Sequence, residues 1–213
     1  MTTSEEFGPL RMELDSGVAV ITIDHPPTNL VDGAFVLALV DLLDRCEPDD
    51  AVRSVVFLSA DADFFLMHGD VEAILHGPSR IDAGAAGFAA ATFERASTSR
   101  LFTVAALDGA ARGGGAEFAA ALDVRLGTPR AIVGQPEAMM GILPGAGGSA
   151  RLPRLLGRSR ALRLILTGAD LDAGQALTVG WLDERSWPLP NCGRRRSRSA
   201  VAWHRCRWRS WRP

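Results

Sequence analysis

The chain has 213 residues, 47% of them hydrophobic, and a formal net charge of −2, enough apolar material for one cored domain. No apolar run approaches the ~18 residues of a membrane helix, and the acidic start Met1-Thr2-Thr3-Ser4-Glu5-Glu6 lacks the basic and apolar segments of a secretion signal. Cys46, Cys192 and Cys206 are too few and too scattered for a disulfide framework or a zinc site, so free thiols in a reducing cytoplasm and no metal are expected.

Arg11-Met12-Glu13-Leu14 and Val18-Ala19-Val20-Ile21-Thr22-Ile23 are β-type runs around Asp15-Ser16-Gly17, which predicts a hairpin. Two prolines in His25-Pro26-Pro27-Thr28-Asn29 block continued pairing and predict a loop. Phe35, Leu39, Leu42 and Leu43 fall at helical spacing, so a helix is expected from Asp32, as N-cap, to Cys46, ended by Pro48-Asp49-Asp50. Ser54–Ser59 reads as a strand buried on both faces. Phe64-Phe65-Leu66 is another short apolar run, and it leads into Met67-His68-Gly69-Asp70.

Residues 76–87 contain Gly, Ala and Pro and are expected to be mobile. A helix over about 87–99 and a strand over 103–107 precede the turn Asp108-Gly109. Residues 124–126 and 131–133 read as strands flanking Thr128-Pro129, and Leu143-Pro144-Gly145-Ala146-Gly147-Gly148 as a loop. A helix over 158–166 stops at Thr167-Gly168, and a shorter one spans 173–179. Repeated strand-then-helix units predict an α/β domain.

The chemistry concentrates in two short motifs. Gly113-Gly114-Gly115 runs into a helix expected to start Ala116-Glu117-Phe118, which leaves bare N–H groups at the positive end of a helix dipole. Glu117 lies on the first turn of that helix. Glu137, carried by a loop that Pro136 turns, can face it. An oxyanion site beside two carboxylates suits enolate or acyl chemistry. Each part has a plainer reading: glycines also let a helix pack closely on a strand, and a lone Glu is usually a solvated surface acid. Gly145-Ala146-Gly147-Gly148-Ser149-Ala150 spells a dinucleotide fingerprint but follows a proline loop rather than a strand. Gly147-Gly148-Ser149-Ala150-Arg151 lacks the last glycine of a nucleophile elbow.

The order of the pieces is more specific than any one of them. It runs Asp24-His25-Pro26, Val52-Arg53-Ser54-Val55-Val56, Phe64-Phe65 before Gly69-Asp70, Asp108-Gly109 and Gly113-Gly114-Gly115-Ala116-Glu117. It continues through Ala121-Leu122-Asp123-Val124-Arg125, Gly134-Gln135-Pro136-Glu137, residues 141–148, Arg151-Leu152-Pro153-Arg154 and Leu164-Ile165-Leu166-Thr167-Gly168. This order resembles the enoyl-CoA hydratase/isomerase (crotonase) family over about residues 10–184.

The resemblance implies an α/β spiral of stacked β-β-α units, assembly as trimers or pairs of trimers, and an acyl-coenzyme A thioester as substrate, with no separate cofactor. It implies no nucleic-acid or membrane partner. By motif position Gly69 and Gly114 match the two oxyanion N–H donors, and Glu117 and Glu137 the two catalytic carboxylates of the hydratases. Substrate contacts are expected from His25, Met67, His68, Gly69, Asp70, Gly113, Gly114 and Pro136. Members that isomerise or hydrolyse often lack one acid, so keeping both favours hydration. An isomerase, a thioester hydrolase, or an impaired remnant that assembles with intact paralogues are the alternatives. Met67-His68-Gly69-Asp70 replaces the family's common Ala-Gly-Ala-Asp, which leaves His68 as pocket lining, a nucleotide contact or a packed bystander. His25 stands where Arg or Lys is frequent.

The resemblance stops near Glu184, where the composition changes. All 23 basic residues are Arg; residues 1–184 hold 14 of them with all 25 acids, and residues 185–213 hold 9 with none. Trp187, Trp203, Trp208 and Trp211 lie in this second part. Arg interleaved with Trp suggests nucleic-acid or membrane-surface binding. A shifted reading frame is the preferred explanation, because starting each triplet at its third base turns residues 202–213 into an apolar, helix-compatible run like the family's terminal helical region. The expected organisation is therefore a core over 1–184 and an aberrant tail over 185–213, with the C-terminal helical lid truncated or replaced.

Overall fold

The computed structural model describes residues 4–71 and 83–185. Strands β1 (Ser4–Phe7), β2 (Leu10–Asp15) and β3 (Val18–Ile23) form an antiparallel meander. The expected hairpin joins β2 to β3 through Ser16 and Gly17, both at positive φ, as a two-residue turn requires. Helix α1 (Gly33–Cys46) follows, with Asp32 as its N-cap: Oδ1 accepts the Phe35 N–H at 2.9 Å.

From β4 (Ser54–Ser59) onward the chain winds in repeated turns. The first comprises β4, β5 (Phe64–Leu66) and α2 (Ala83–Thr98). The second comprises β6 (Phe102–Leu107), β7 (Ala110–Arg112) and α3 (Gly114–Ala121). The third comprises β8 (Val124–Gly127), β9 (Ile132–Gly134) and a 3-10 turn over Glu137–Met140. The first strand of each turn joins a seven-stranded sheet of order β1-β2-β3-β4-β6-β8-β11. The second joins a small sheet of order β10-β9-β7-β5. Helices α4 (Gly148–Leu156), α5 (Arg158–Thr167) and α6 (Ala173–Val179) follow, with short strands β10 (Leu171–Asp172) and β11 (Glu184–Arg185) around α6. This is the expected α/β spiral.

Within the small sheet β5, β7 and β9 are parallel, so their C-terminal ends lie side by side. Residues 67–69, 113–117 and 135–137 leave from those three ends. The spiral thereby gathers segments far apart in sequence, and that edge is where the predicted site residues meet.

One core holds both sheets and the helices together. Phe118 of α3 sits at its centre, with ring centroids 5.5 Å from Phe35, 5.0 Å from Phe57 and 5.2 Å from Phe93. Truncating such a ring costs about 3–5 kcal/mol. The anchor matters for the site because Glu117 is its neighbour on the same buried helix.

Several boundaries differ from expectation. Helix α2 begins at Ala83, not near 87: the alanines at 83, 85 and 86 are strong helix formers and carry the helix through Gly84. Residues 83–87 belong to this helix, and 76–82 lies outside the described residues. Helix α3 begins at Gly114, two residues early. Helix α4 follows the 143–148 loop although Pro153 lies inside it. Of the expected tail over 185–213, Arg185 ends β11 and 186–213 lies outside the described residues. Among them, no helix is long and apolar enough to cross a membrane.

Candidate active site

The backbone is built first. Gly113 N–H donates to the Gly134 carbonyl at 3.0 Å and Gly115 N–H to the Met67 carbonyl at 2.9 Å, which ties α3 to both flanking segments. Gly114 N–H, between them, belongs to the first helical turn, where no intrahelical acceptor exists. On the other side the loop after β3 holds the 67–69 segment: Met67 N–H donates to Asn29 O at 2.7 Å, and Val31 N–H to His68 O at 3.1 Å. In a trans peptide N–H and C=O point in opposite directions. With the His68 carbonyl turned to Val31, the Gly69 N–H of the same peptide points away from it.

Two glycines permit this closeness. Gly113 has φ 54, and a Cβ there would lie 2.9 Å from His68 Cβ and 3.0 Å from Glu137 Oε1. A Cβ on Gly115 would overlap the Leu66 carbonyl oxygen and stand 2.8 Å from that of Met67. Close backbone approach is what glycine allows and any other residue forbids.

Glu117 and Glu137 are both buried, at 3% and 7% exposure, so neither is a solvated surface acid. Glu117 Oε1 accepts the Gly148 N–H at 2.7 Å, from the first residue of α4. Burial pushes its carboxyl up to about 7; the Gly148 amide opposes the rise and the charge of Glu137 adds to it. Glu137 opens the 3-10 turn after Pro136, and its Oε1 accepts Gln135 Nε2–H at 2.8 Å. Burial raises its pKa as well, while Gln135 and the nearby His68 pull it down. Glu137 Oε2 is buried with no hydrogen-bond partner in the protein. One acid is thus held by a backbone amide, and the other keeps one oxygen available for a ligand.

The family model for enoyl-CoA hydratase/isomerase matches residues 13–186. This chain belongs to the enoyl-CoA hydratase/isomerase family. The alpha subunit of a fatty acid oxidation complex from Idiomarina loihiensis is 41% identical over 175 residues, which cover 80% of this chain. The match spans only 25% of that relative's length. DspI of Pseudomonas aeruginosa superposes with a TM-score of 0.80 at 33% identity, covering 84% of this chain and 73% of that one. An enoyl-CoA hydratase from Geobacillus kaustophilus gives a TM-score of 0.86 at 26% identity, covering 99% and 76%. The crotonase fold of this family member follows from these matches.

Of the expected site residues, Met67, His68, Gly69, Gly113, Gly114, Pro136 and both acids gather at the ends of β5, β7 and β9. Asp70 follows on the same segment. His25 does not point there freely: its Nε2 lies 2.8 Å from Asp32 Oδ2, at the start of α1. The sequence reading passed over two buried amides. Gln135 orients Glu137, and an amide two positions before a candidate acid was its only signal. Asn29 donates to Ser59 Oγ at 2.8 Å and to the carbonyls of Phe64 and Phe65, tying its loop to β5. Among the described residues no group of three or more His, Cys, Asp or Glu could hold a metal ion.

The burial of Glu117 sets a pH dependence of stability in this family member. Below its ordinary value of 4.5 the carboxyl is neutral folded or unfolded, and burial costs little. As pH rises the unfolded chain releases its proton first, while the folded chain holds on until about 7. Stability therefore falls across that window, and the full cost above it is on the order of 3 kcal/mol. Glu117→Gln removes the charge and is expected to be more stable than wild type at pH 8 but not at pH 4.5. Urea unfolding at the two values checks this, and equal stability at pH 8 would contradict a buried carboxylate.

Proposed function

We propose that this chain hydrates the 2,3 double bond of 2-enoyl-CoA thioesters. The observation that carries the reading is the pair of buried carboxylates, set beside two glycine segments whose amides are not all used by the fold. A thioester carbonyl would accept the Gly69 and Gly114 N–H groups, which draws electron density onto oxygen and leaves C3 electrophilic. Each such donor is worth roughly 3–4 kcal/mol where one has been removed from other enzymes. Glu117, as carboxylate, takes a proton from water; the oxygen bonds to C3 and the π electrons collect as an enolate on the thioester. Glu137 delivers a proton from Oε2 to C2, which restores the carbonyl. One water is consumed, and proton transfer between the acids through solvent resets the site.

Two features support separate roles. The Gly148 amide favours the charged form of Glu117. Gln135 occupies Oε1 of Glu137 and leaves Oε2 as the proton carrier. The fold alone does not choose the reaction. Exposed Met139 (61%), Leu143 (76%) and Leu166 (62%) lie on the 3-10 turn, the loop after it and α5, close to Glu137. This apolar surface favours a homotrimer or a pair of trimers, and sedimentation would read the mass directly. The test of function is incubation with crotonyl-CoA. Loss of conjugated-thioester absorbance with formation of 3-hydroxybutyryl-CoA is expected. A folded, assembled protein that turns over no enoyl-CoA would favour a remnant instead.

A further inference from the structure

Asn29 is 2% exposed, and a buried amide is stable only where its hydrogen bonds are met. Both ends of the side chain are engaged. Oδ1 accepts the His25 N–H at 2.7 Å, and Nδ2 donates to Ser59 Oγ at 2.8 Å and to the Phe64 and Phe65 carbonyls at 3.2 Å. The residue has φ 52, a left-handed conformation that asparagine tolerates better than most residues with a side chain. Its main chain closes the same turn, with the N–H donating to the His25 carbonyl at 2.7 Å. Asp32 fixes the far end of the loop: one oxygen caps α1, and the other lies 2.8 Å from His25 Nε2.

This anchored loop meets both residues whose amides face the site. Asn29 O accepts the Met67 N–H at 2.7 Å, Val31 N–H reaches His68 O at 3.1 Å, and Val31 pairs with Gly69 as a parallel bridge. The 67–69 segment therefore runs alongside residues 29–31, with the Gly69 N–H directed away from them. The Val31 side chain abuts the start of α3: a Cβ on Gly114 would stand 3.2 to 3.4 Å from its Cβ and both methyls. Gly69 is thus set by the backbone of the loop, and Gly114 by its side chain. The bond from Gly115 N–H to Met67 O joins the two glycine segments directly at one point. The loop supplies a second, and two points fix an orientation as well as a distance. Such precision matters, because a misplacement of about 1 Å costs on the order of 10²-fold in rate.

We infer that Asn29 is a positioning residue for the oxyanion pair: it anchors the loop that holds the Gly69 peptide through its backbone and Gly114 through Val31. The inference rests on the thioester reading above, whichever reaction follows activation. Both polar atoms of the Asn29 side chain are spent on the protein, so it acts through the two glycines rather than on substrate.

Asn29→Gly tests it, since glycine keeps the left-handed backbone and removes every side-chain bond. The readout is the absorbance of bound cinnamoyl-CoA, a conjugated thioester that shifts to the red when its carbonyl is polarised. Wild type should show the shift. Asn29→Gly should keep less than about half of it and lose about thirtyfold in kcat on crotonyl-CoA, with KM within about threefold. Val31→Ala keeps every Asn29 bond but opens the contact with Gly114. It should lose part of the shift and about fivefold in kcat, and it carries the test if Asn29→Gly does not fold. Leu43→Ala opens a cavity in the same core, roughly 15 Å along α1 from its cap, and its bound probe should keep the full shift. A wild-type shift and kcat in Asn29→Gly or in Val31→Ala overturn the inference and leave the thioester reading intact. An equal loss in Leu43→Ala also overturns it, because general destabilisation then suffices. The anchor is read without ligand by hydrogen exchange at the Met67 amide, which should be about tenfold faster in Asn29→Gly than in Leu43→Ala. Faster exchange in a protein whose wild type gives no red shift at saturating probe supports the anchor and refutes the thioester reading. Unchanged exchange overturns the inference.

Discussion

Glu137→Gln lowers kcat on crotonyl-CoA by about a thousandfold, with KM changed no more than a few-fold, if the mechanism is as proposed. Glutamine is isosteric and can still accept the Gln135 amide, so the 3-10 turn and the pocket keep their shape. It has no acidic proton, so C2 must be protonated by water; loss of a positioned acid or base costs on the order of 10²–10⁴. Glu117→Gln is expected to lose as much, because its amide cannot take the proton of the attacking water. The double variant should be little worse than either single one, since the two acids act on one transition state. The wild-type pH profile adds a sign. Glu117 must be ionised to act as base and its pKa is about 7, so kcat/KM should fall as pH drops through that value. Steady-state rates with thermal melts on the same samples decide it. A single variant that folds and keeps more than a tenth of wild-type kcat would remove that acid from the mechanism.

Gly115→Ala is the structural counterpart. The added Cβ would occupy the position of the Leu66 carbonyl oxygen and press on that of Met67. Both neighbours are backbone, so neither can rotate aside. The end of β5 and the 67–69 segment must move, and the 2.9 Å bond from Gly115 N–H to Met67 O is lost. A cost above about 3 kcal/mol is expected, with loss of most activity because Gly69 moves with the segment. Gly114→Ala is the internal control: its Cβ would meet Val31 Cβ at 3.2 Å, an approach that a shift of a few tenths of an ångström relieves. Urea unfolding should therefore separate the two by at least about 2 kcal/mol. Equal stability would mean that α3 does not approach β5 as closely as described.

Elements with their own local signals were legible in the sequence. Asp32 caps α1 where the helical spacing of Phe35, Leu39, Leu42 and Leu43 begins, and Gly168 stops α5 in a left-handed conformation. Elements set by tertiary contact were not. Glycine has poor helix propensity, yet Gly114 and Gly115 form the first turn of α3 because Met67 accepts a hydrogen bond there. Gly147-Gly148 and Pro153 masked α4, although that helix supplies the amide that holds Glu117. Strand β7 is three residues long, too short to show a period, and it aims the glycine segment. Glu117 and Glu137 were readable because motif order placed them. Gln135 and Asn29 were not, since a buried amide is recognised by its partners and these come from distant strands. His25 was expected among the substrate contacts; its ring also pairs with Asp32, seven residues on, which spacing alone did not reveal.

The claim at the centre of this account is that one thioester oxygen is held by two backbone amides between the acids. A crystal structure with a bound, unreactive crotonyl-CoA analogue tests it most directly. The account predicts the carbonyl oxygen about 3 Å from both the Gly69 and Gly114 nitrogens, with Glu117 facing C3 and Glu137 Oε2 facing C2. A carbonyl oxygen that meets neither amide, or an acyl chain lying away from both carboxylates, would contradict it.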